Sequence, residues 1–231
     1  MIPALSDGVP SATAASDGGE AVATALLHSL TAARQENSPF RHWRLDAALP
    51  AGTVAAIVAL PFAPSAEAAP GRREIVNSTR IFFSAENNAR FAVCRDVAEA
   101  LQSAIVDRLA RLCGTDLAGS YLRIEYCQDT DGFWLEPHTD IGAKLFTMLV
   151  YLSTEREAKD WGTDLMNPAG DVIATVPWSA NRGLMIVPGS DTWHGFRKRR
   201  IEGVRRSLIV NYVKPEWRSR HELAFPDRPV A

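Results

Sequence analysis

Apolar residues in the first half of the chain recur at helical spacing. Between residues 20 and 35 they fall at intervals of three and four, which predicts an amphipathic helix. This apolar face consists of Val22, Leu26, Leu27 and Leu30. A second helix is predicted over residues 49–60, and Pro61 ends it. The longest helix is predicted over residues 91–113, with Gly114 as its C-terminal stop.

After Gly114 the pattern changes to short runs of β-branched and aromatic residues, separated by Gly, Pro, Asn and Asp. Such runs predict strands. They cover residues 121–126, 145–152, 172–176, 183–188 and 204–213. Earlier strands are predicted at residues 41–46 and 81–83. No segment between the later strands suits a crossover helix, so an antiparallel sandwich or barrel is expected rather than a parallel sheet.

These patterns predict one domain over residues 20–231, mainly β with supporting N-terminal helices (α+β). Residues 20–114 form the mostly helical support, residues 115–215 the sheet core and residues 216–231 a C-terminal tail. Residues 1–19 are rich in Ala, Ser, Gly and Asp without an apolar period, which predicts a disordered leader. A chain of 231 residues suffices for one well-buried domain and is marginal for two.

Two of the predicted strands pair an apolar face with a mixed face. In the strand over residues 204–213 the mixed face consists of Arg205, Ser207, Ile209 and Asn211. In the strand over residues 145–152 it consists of Leu145, Thr147, Leu149 and Tyr151. A mixed face suits a polar cavity inside a barrel, but an edge strand that meets water shows a similar pattern.

Composition and charge narrow the classes of function. With 46% hydrophobic and 23% charged residues, the chain resembles an ordinary soluble globule. A formal net charge of −2 gives no general attraction to nucleic acid or to an anionic membrane, so neither partner is expected. The N-terminus lacks a basic stretch, and no secretory signal is expected. Three cysteines without CxxC spacing favour a reducing compartment, and we expect a cytoplasmic protein.

Two histidines and one aspartate stand out as candidate metal ligands. His138 and Asp140 lie two residues apart on an extended segment and can point the same way, although a His-x-Asp tripeptide alone is weak evidence. His194 follows the strand that ends at Pro188, and Arg205 begins another strand 11 residues later. Two imidazoles and one carboxylate leave half of an octahedral metal's positions open. The remaining histidines, which lack such a setting, are His28, His42 and His221.

These residues resemble the pattern His-x-Asp…His…Arg-x-Ser of the iron(II)- and 2-oxoglutarate-dependent oxygenases, and within them the prolyl-4-hydroxylase-like branch. Here the pattern reads His138-Thr139-Asp140, then His194, then Arg205-Arg206-Ser207. The resemblance extends over residues 121–213. It departs from the branch at Thr163, which replaces the second glycine of a Gly-Gly-x-Leu turn, and in the long loop over residues 127–137. Substrate contacts therefore cannot be carried over.

The resemblance implies a double-stranded β-helix (a jelly roll of the cupin kind) and a hydroxylase. Iron(II) would be held by His138, Asp140 and His194, with 2-oxoglutarate and O2 as co-substrates. Arg205 would bind the far carboxylate of 2-oxoglutarate, because arginine offers a planar fork of donors. Further co-substrate contacts are expected from Ser207, Tyr151, Tyr126 and Thr147. The implied reaction hydroxylates an unactivated C–H bond and releases succinate and CO2.

Two other functions fit part of the pattern. A cupin-like isomerase or hydrolase would use the three metal ligands without needing Arg205, and a non-catalytic barrel could bind a small acid or a partner. The substrate is either a small molecule or a protein side chain. Phe133 and Trp134 could stack on it or pack as a lid. Arg197, in the basic run over residues 197–200, could attract an anionic substrate or belong to a solvated hairpin.

Overall fold

The structure is a computed structural model that describes residues 17–64, 70–71, 80–103, 105–140 and 142–231. The predicted leader lies outside the described residues up to residue 16. The first helix already begins at Asp17, three residues before the predicted start. The division of the chain into leader, support, core and tail stays a prediction.

The helices lie in the N-terminal half of the chain. They are α1 (Asp17–Thr31), α2 (Ala51–Val58), α3 (Ala85–Arg90), α4 (Ala92–Gln102) and α5 (Val106–Cys113). Two short 3-10 helices follow, at Arg156–Asp160 and Arg220–Glu222. α1 packs on α4, and α5 ends at Gly114, whose left-handed backbone (φ 67°) suits glycine. Within the described part of the chain, no helix is long and apolar enough to cross a membrane.

The helix predicted over residues 91–113 is in fact two helices. At Ser103 the backbone leaves helical geometry (φ −136°, ψ −67°), and α5 starts again at Val106. The Ser103 hydroxyl donates to the carbonyl of Glu99 at 3.1 Å, a local hydrogen bond that competes with regular helix geometry. The apolar face continues across the break, since Leu101 and Leu109 are both buried. For this reason the apolar period alone could not reveal the break.

Two sheets form the rest of the fold, with their eight last strands in the C-terminal half. Their strands are β1 (Arg34–Glu36), β2 (His42–Leu45), β3 (Pro70–Gly71), β4 (Arg80–Phe82), β5 (Tyr121–Asp129), β6 (Trp134–His138), β7 (Lys144–Tyr151), β8 (Asp164–Met166), β9 (Val172–Thr175), β10 (Gly183–Ile186), β11 (His194–Phe196) and β12 (Arg205–Val213). The large sheet has the order β1-β2-β10-β7-β12-β5-β4, and the small sheet β3-β6-β11-β8-β9. All pairings are antiparallel except that of β3 with β6. The predicted mainly β, two-sheet architecture is confirmed.

The predicted strands all appear, close to their expected bounds, as β2, β4, β5, β7, β9, β10 and β12. The short strands β8 and β11, of three residues each, were not predicted. Three residues show too few alternations to distinguish a strand from a loop. Both are held by pairing with neighbours in the small sheet, a tertiary effect that local pattern does not contain.

The two faces of the large sheet have different partners. Its outer face packs on the helices, where Val150, Leu208 and Tyr212 belong to one apolar cluster with residues of α1 and α4. Its inner face meets the small sheet. The mixed faces of β7 and β12 lie there, and Thr147 and Asn211 are buried. The mixed pattern therefore marks an internal polar space, as the cavity interpretation predicts, and does not mark an edge strand.

Candidate active site

His138 and His194 lie directly opposite each other on β6 and β11. Side chains at opposed positions of an antiparallel pair project from the same face, and the two imidazole centroids are 4.3 Å apart. Gly195 permits the close approach of the strands, since a Cβ at that position would lie 2.7 Å from the carbonyl oxygen of Leu135. Strand pairing thus brings together two histidines that are 56 residues apart in the sequence.

Asp140 completes the group from the segment that follows β6. Its backbone is left-handed (φ 59°), a region where aspartate is enriched among non-glycine residues. Its carboxylate lies with Oδ1 3.6 Å from Nε2 of His138 and Oδ2 3.7 Å from Nε2 of His194. One ligand atom from each of the three residues lies within 4.8 Å of the others. The three predicted ligands therefore converge.

The hydrogen bonds of the two imidazoles involve Nδ1 and leave Nε2 available to bind a metal. Nδ1 of His138 lies 2.9 Å from the carbonyl of Glu136, and Nδ1 of His194 lies 2.9 Å from the carbonyl of Thr192. A carbonyl only accepts, so Nδ1 carries the proton and Nε2 keeps its lone pair. Burial lowers the pKa of His194 to about 4, which keeps that imidazole neutral near pH 7. This donor set fits iron(II).

Asp140 is held as an anion by two neighbours on β7. The Lys144 ammonium donates to Oδ1 at 2.6 Å, and the Thr147 hydroxyl donates to Oδ2 at 3.1 Å. Burial alone would raise the pKa of Asp140, but the charges of Lys144, His194 and His138 outweigh burial and hold that pKa well below its usual range. The carboxylate is therefore ionised and oriented before any metal binds.

Arg205 lines the same cavity as the three ligands. Its side chain is only 3% exposed, Nε donates to the carbonyl of Trp161 at 2.9 Å, and Nη1 donates to Oδ2 of Asp129 at 2.6 Å. The guanidinium carbon also lies 4.4 Å from the ring centroid of Phe196. The cavity has a volume of about 120 Å³. A fixed cation and a ligand triad thus share one cavity.

Comparison with known proteins rests on structure, because no protein-family model and no curated protein sequence matches the chain. A prolyl-4-hydroxylase from Pseudomonas putida superposes with a TM-score of 0.54 at 14% identity, covering 84% of this chain and 92% of the other. The chain has the fold of the prolyl hydroxylases. A Trichoplax adhaerens prolyl hydroxylase in complex with a peptide of a hypoxia inducible factor gives 0.56 at 13%, covering 85% and 90%.

A third match agrees with these two. Prolyl 4-hydroxylase from Phytophthora capsici gives a TM-score of 0.54 at 11% identity, covering 90% of this chain and 69% of the other. These matches confirm the predicted double-stranded β-helix and the resemblance to the prolyl-4-hydroxylase-like branch. At such low identity the similarity concerns the fold, so the role of each residue is argued from the geometry of this chain.

Two predicted co-substrate contacts lie beside the cavity of this prolyl hydroxylase fold. The Tyr151 hydroxyl lies 2.9 Å from Oγ1 of Thr163, which lines the cavity, and its ring stacks on Trp178 with centroids 4.4 Å apart. Ser207 lies opposite Tyr151 in the sheet, and its buried hydroxyl has no hydrogen-bond partner among the described residues. Tyr151 supports the wall, while Ser207 retains an unused donor.

Tyr126 is placed differently from the prediction. Along β5 the inward-facing residues are Glu125, Cys127 and Asp129, so alternation turns Tyr126 to the helical side, where it joins the outer cluster. The structure therefore removes Tyr126 from the cavity and gives it a packing role. Asp129, which the sequence analysis did not select, takes the place beside Arg205 instead. Because Arg205 lies opposite Asp129 in the sheet, this contact depends on strand register.

The three predicted substrate contacts do not line the cavity. Phe133 is buried against Phe196, with centroids 5.6 Å apart, and acts as packing behind the guanidinium of Arg205. Trp134 is 38% exposed and lies over Gly71 at the rim. Arg197 is exposed, and within the described part of the chain its guanidinium reaches only the carbonyl of Gly170, at 3.5 Å. For Arg197, the solvated alternative fits this placement better.

Thr147→Val should weaken metal binding by about 10–100-fold, the usual effect of losing an outer-shell partner of a ligand. The substitution keeps the side-chain shape and removes the hydroxyl that orients Asp140. Iron(II) affinity measured by anaerobic titration checks this. Thr175→Val is the matched control, since its hydroxyl donates to the carboxylate of Asp164 at 2.7 Å, away from the ligands. Equal iron affinity in both variants would contradict the orienting role of Thr147.

Proposed function

We propose that the chain is an iron(II)- and 2-oxoglutarate-dependent dioxygenase that hydroxylates an unactivated C–H bond. The observation that carries this proposal is the convergence of a His-Asp-His ligand set and the Arg205 guanidinium on one cavity. A metal-dependent isomerase or hydrolase needs the three ligands but has no use for a buried cation beside them. A non-catalytic acid-binding barrel would need the cation but not the metal ligands.

In this proposal Nε2 of His138, Nε2 of His194 and a carboxylate oxygen of Asp140 hold the metal on one face. Iron(II) bound there would supply the oxidation of 2-oxoglutarate by O2 to succinate and CO2, coupled to hydroxylation of the substrate. Thr147 and Lys144 keep the carboxylate oriented and ionised. The chain thereby contributes a preformed ligand set.

Arg205 is the residue that we assign to the far carboxylate of 2-oxoglutarate. Its Nε donates to the carbonyl of Trp161 and its Nη1 to Asp129, which holds the planar guanidinium at the cavity wall, where a carboxylate of the co-substrate would meet it. The hydroxyl of Ser207, on the same face of β12, offers a further donor. Because Asp129 and the aromatic rings fix the guanidinium in advance, little side-chain entropy is lost when the co-substrate binds.

The apolar parts of the cavity wall would exclude water from the reacting C–H bond. Leu149 and Ile209 on the large sheet face Leu135 and Phe196 on the small sheet. This apolar wall lies between the polar ligand set and Arg205, which suits the carbon chain of a dicarboxylate co-substrate. It also keeps the charged groups in an environment of low dielectric constant, where their interactions are stronger.

The proposed substrate is a protein side chain or a small molecule. The Trichoplax adhaerens prolyl hydroxylase was solved with a peptide, which supports the first class by structural analogy. The proposed cytoplasmic location is supported by Cys94 and Cys113, which are buried thiols outside any disulfide. Neither nucleic acid nor a membrane is part of the proposal.

Formation of succinate tests the proposed function. Protein loaded with iron(II) and given 2-oxoglutarate and O2 should release succinate even without a primary substrate, slowly, and the zinc(II)-loaded protein should not. Mass spectrometry of the products, with 2-oxoglutarate consumption measured in parallel, distinguishes enzymatic turnover from spontaneous loss. No iron-dependent succinate above a protein-free control would contradict the proposal. Zinc(II)-dependent conversion of 2-oxoglutarate into a product other than succinate would instead support the isomerase or hydrolase alternative.

A further inference from the structure

A second guanidinium lines the cavity, at the edge of the large sheet. The side chain of Arg80, on β4, is only 8% exposed. Its Nε lies 3.2 Å from Oε2 of Glu125, and this is the one polar contact of the side chain with the described residues. The terminal nitrogens Nη1 and Nη2 therefore have no acceptor in the described part of the chain. Burying a cation with so few partners is costly, which indicates a ligand role.

Glu125 is shared and cannot serve Arg80 alone. Its Oε1 also accepts from Nη1 of Arg123 and from the amide of Asn211 at 3.3 Å. Arg123 in turn donates to Glu222 at 2.5 Å. Among the described residues, two guanidiniums and two carboxylates thus form one buried network. This network holds Arg80 in place by one nitrogen and leaves its fork of donors for another group.

The position of Arg80 separates it from the co-substrate. Arg80 lies opposite Cys127 on β5, which lies opposite Ser207 on β12, so all three project from the inner face of the sheet. β4 is two strands away from β12, which places it about 10 Å to the side of the strand that carries Arg205. Arg205 and the metal ligands define the space for 2-oxoglutarate, and Arg80 flanks that space.

We propose that Arg80 binds a carboxylate of the primary substrate, so that the substrate of this enzyme is an acid. This inference rests on the proposed function and narrows it. The free edge of a guanidinium carries two parallel donors that match the two oxygens of a carboxylate, a geometry that lysine lacks. With its carboxylate on β4, the substrate extends across the cavity towards the ligand set. Arg80 therefore selects carboxylic acids over neutral analogues.

Calorimetric titration with butyrate and butyramide tests this assignment. The protein is kept anaerobic, loaded with iron(II) and saturated with 2-oxoglutarate, so that Arg205 is occupied. Butyrate should bind at least about tenfold more tightly than butyramide, as expected for charge-assisted hydrogen bonds. Arg80→Gln should abolish this preference, and Arg80→Lys should retain part of it. Arg90→Gln, which removes an exposed guanidinium on α3, is the matched control and should bind as the wild type does.

Three results would overturn the assignment: equal butyrate affinity in the wild type and Arg80→Gln, equal affinity for butyrate and butyramide, or no butyrate binding at all. The affinity for 2-oxoglutarate, measured in the same samples, should stay within about twofold of wild type in Arg80→Gln because Arg80 lies off the co-substrate path. If the wild type fails to bind 2-oxoglutarate, the proposed function fails. The butyrate titration of metal-loaded wild type and Arg80→Gln then still decides the role of Arg80.

Discussion

His138→Ala should lower the affinity for iron(II) by more than about 100-fold, since even loss of an outer-shell partner costs about 10–100-fold. The variant leaves only His194 and Asp140, too few ligands to fix a facial site. His138 is the better histidine to remove, because its side chain is 31% exposed while that of His194 is 6% exposed. Truncation at His138 therefore disturbs packing less. Anaerobic titration with iron(II) measures the loss of iron affinity, and iron-dependent succinate formation should disappear together with iron binding.

His28→Ala is the matched control for this prediction. His28 is exposed on α1, so its imidazole can bind metal only nonspecifically. Iron(II) affinity and thermal unfolding of the control should equal those of the wild type. If His138→Ala and His28→Ala retained the same iron affinity, the three-ligand site would be refuted. A loss of folded protein in His138→Ala would be visible in the unfolding curve, which separates a folding defect from a binding defect.

Arg205→Lys should weaken binding of 2-oxoglutarate at least about tenfold while iron(II) affinity is kept, because an ammonium cannot replace a planar fork of donors. Lysine is preferable to alanine here. Removal of the charge would leave Asp129 buried without its partner, at a cost of about 3–5 kcal/mol in stability. Lysine keeps the charge beside Asp129 and changes only the geometry. Calorimetric titration of the metal-loaded protein with 2-oxoglutarate gives the affinity.

Arg206→Lys supplies the control for Arg205→Lys. Arg206 is the next residue on β12, so it projects from the opposite face, where Nη1 donates to Glu155 at 3.1 Å. The substitution is chemically the same but lies outside the cavity. We expect its affinity for 2-oxoglutarate to match the wild type. If 2-oxoglutarate affinity fell equally in both variants, any arginine-to-lysine change on β12 would have the same effect. Arg205 would then have no specific role in binding the co-substrate.

Part of the ligand set was within reach of sequence analysis because its signal is local, and the resembling motif supplied His194. His138 and Asp140 are two residues apart, and the alternation along β12 places Arg205 and Ser207 on one face whatever the neighbours are. Strand alternation along β7 likewise selected Thr147, which the structure places in the cavity wall with its hydroxyl against Asp140. Local pattern thus indicated the wall of the cavity better than it indicated the contact that each residue makes.

The errors concern contacts that depend on register and packing between elements. Tyr126 was selected from its place in a resembling motif, and the pairing of β5 with β12 turns it to the helices. The Arg205–Asp129 pair joins residues 76 positions apart, and no local signal identifies it. Arg80 belongs to a three-residue strand at the sheet edge and reaches the cavity only through the pairing of β4 with β5. These contacts need the assembled sheet.

The central claim is that the three metal ligands and Arg205 form one site, in which metal and 2-oxoglutarate bind together. Anaerobic titration of 2-oxoglutarate into the protein with and without iron(II) tests this most directly, because shared binding requires coupled affinities. Iron(II) should tighten the binding of 2-oxoglutarate at least about tenfold, and 2-oxoglutarate should tighten the binding of iron(II) by the same factor. The same affinity for 2-oxoglutarate with and without the metal would contradict the claim.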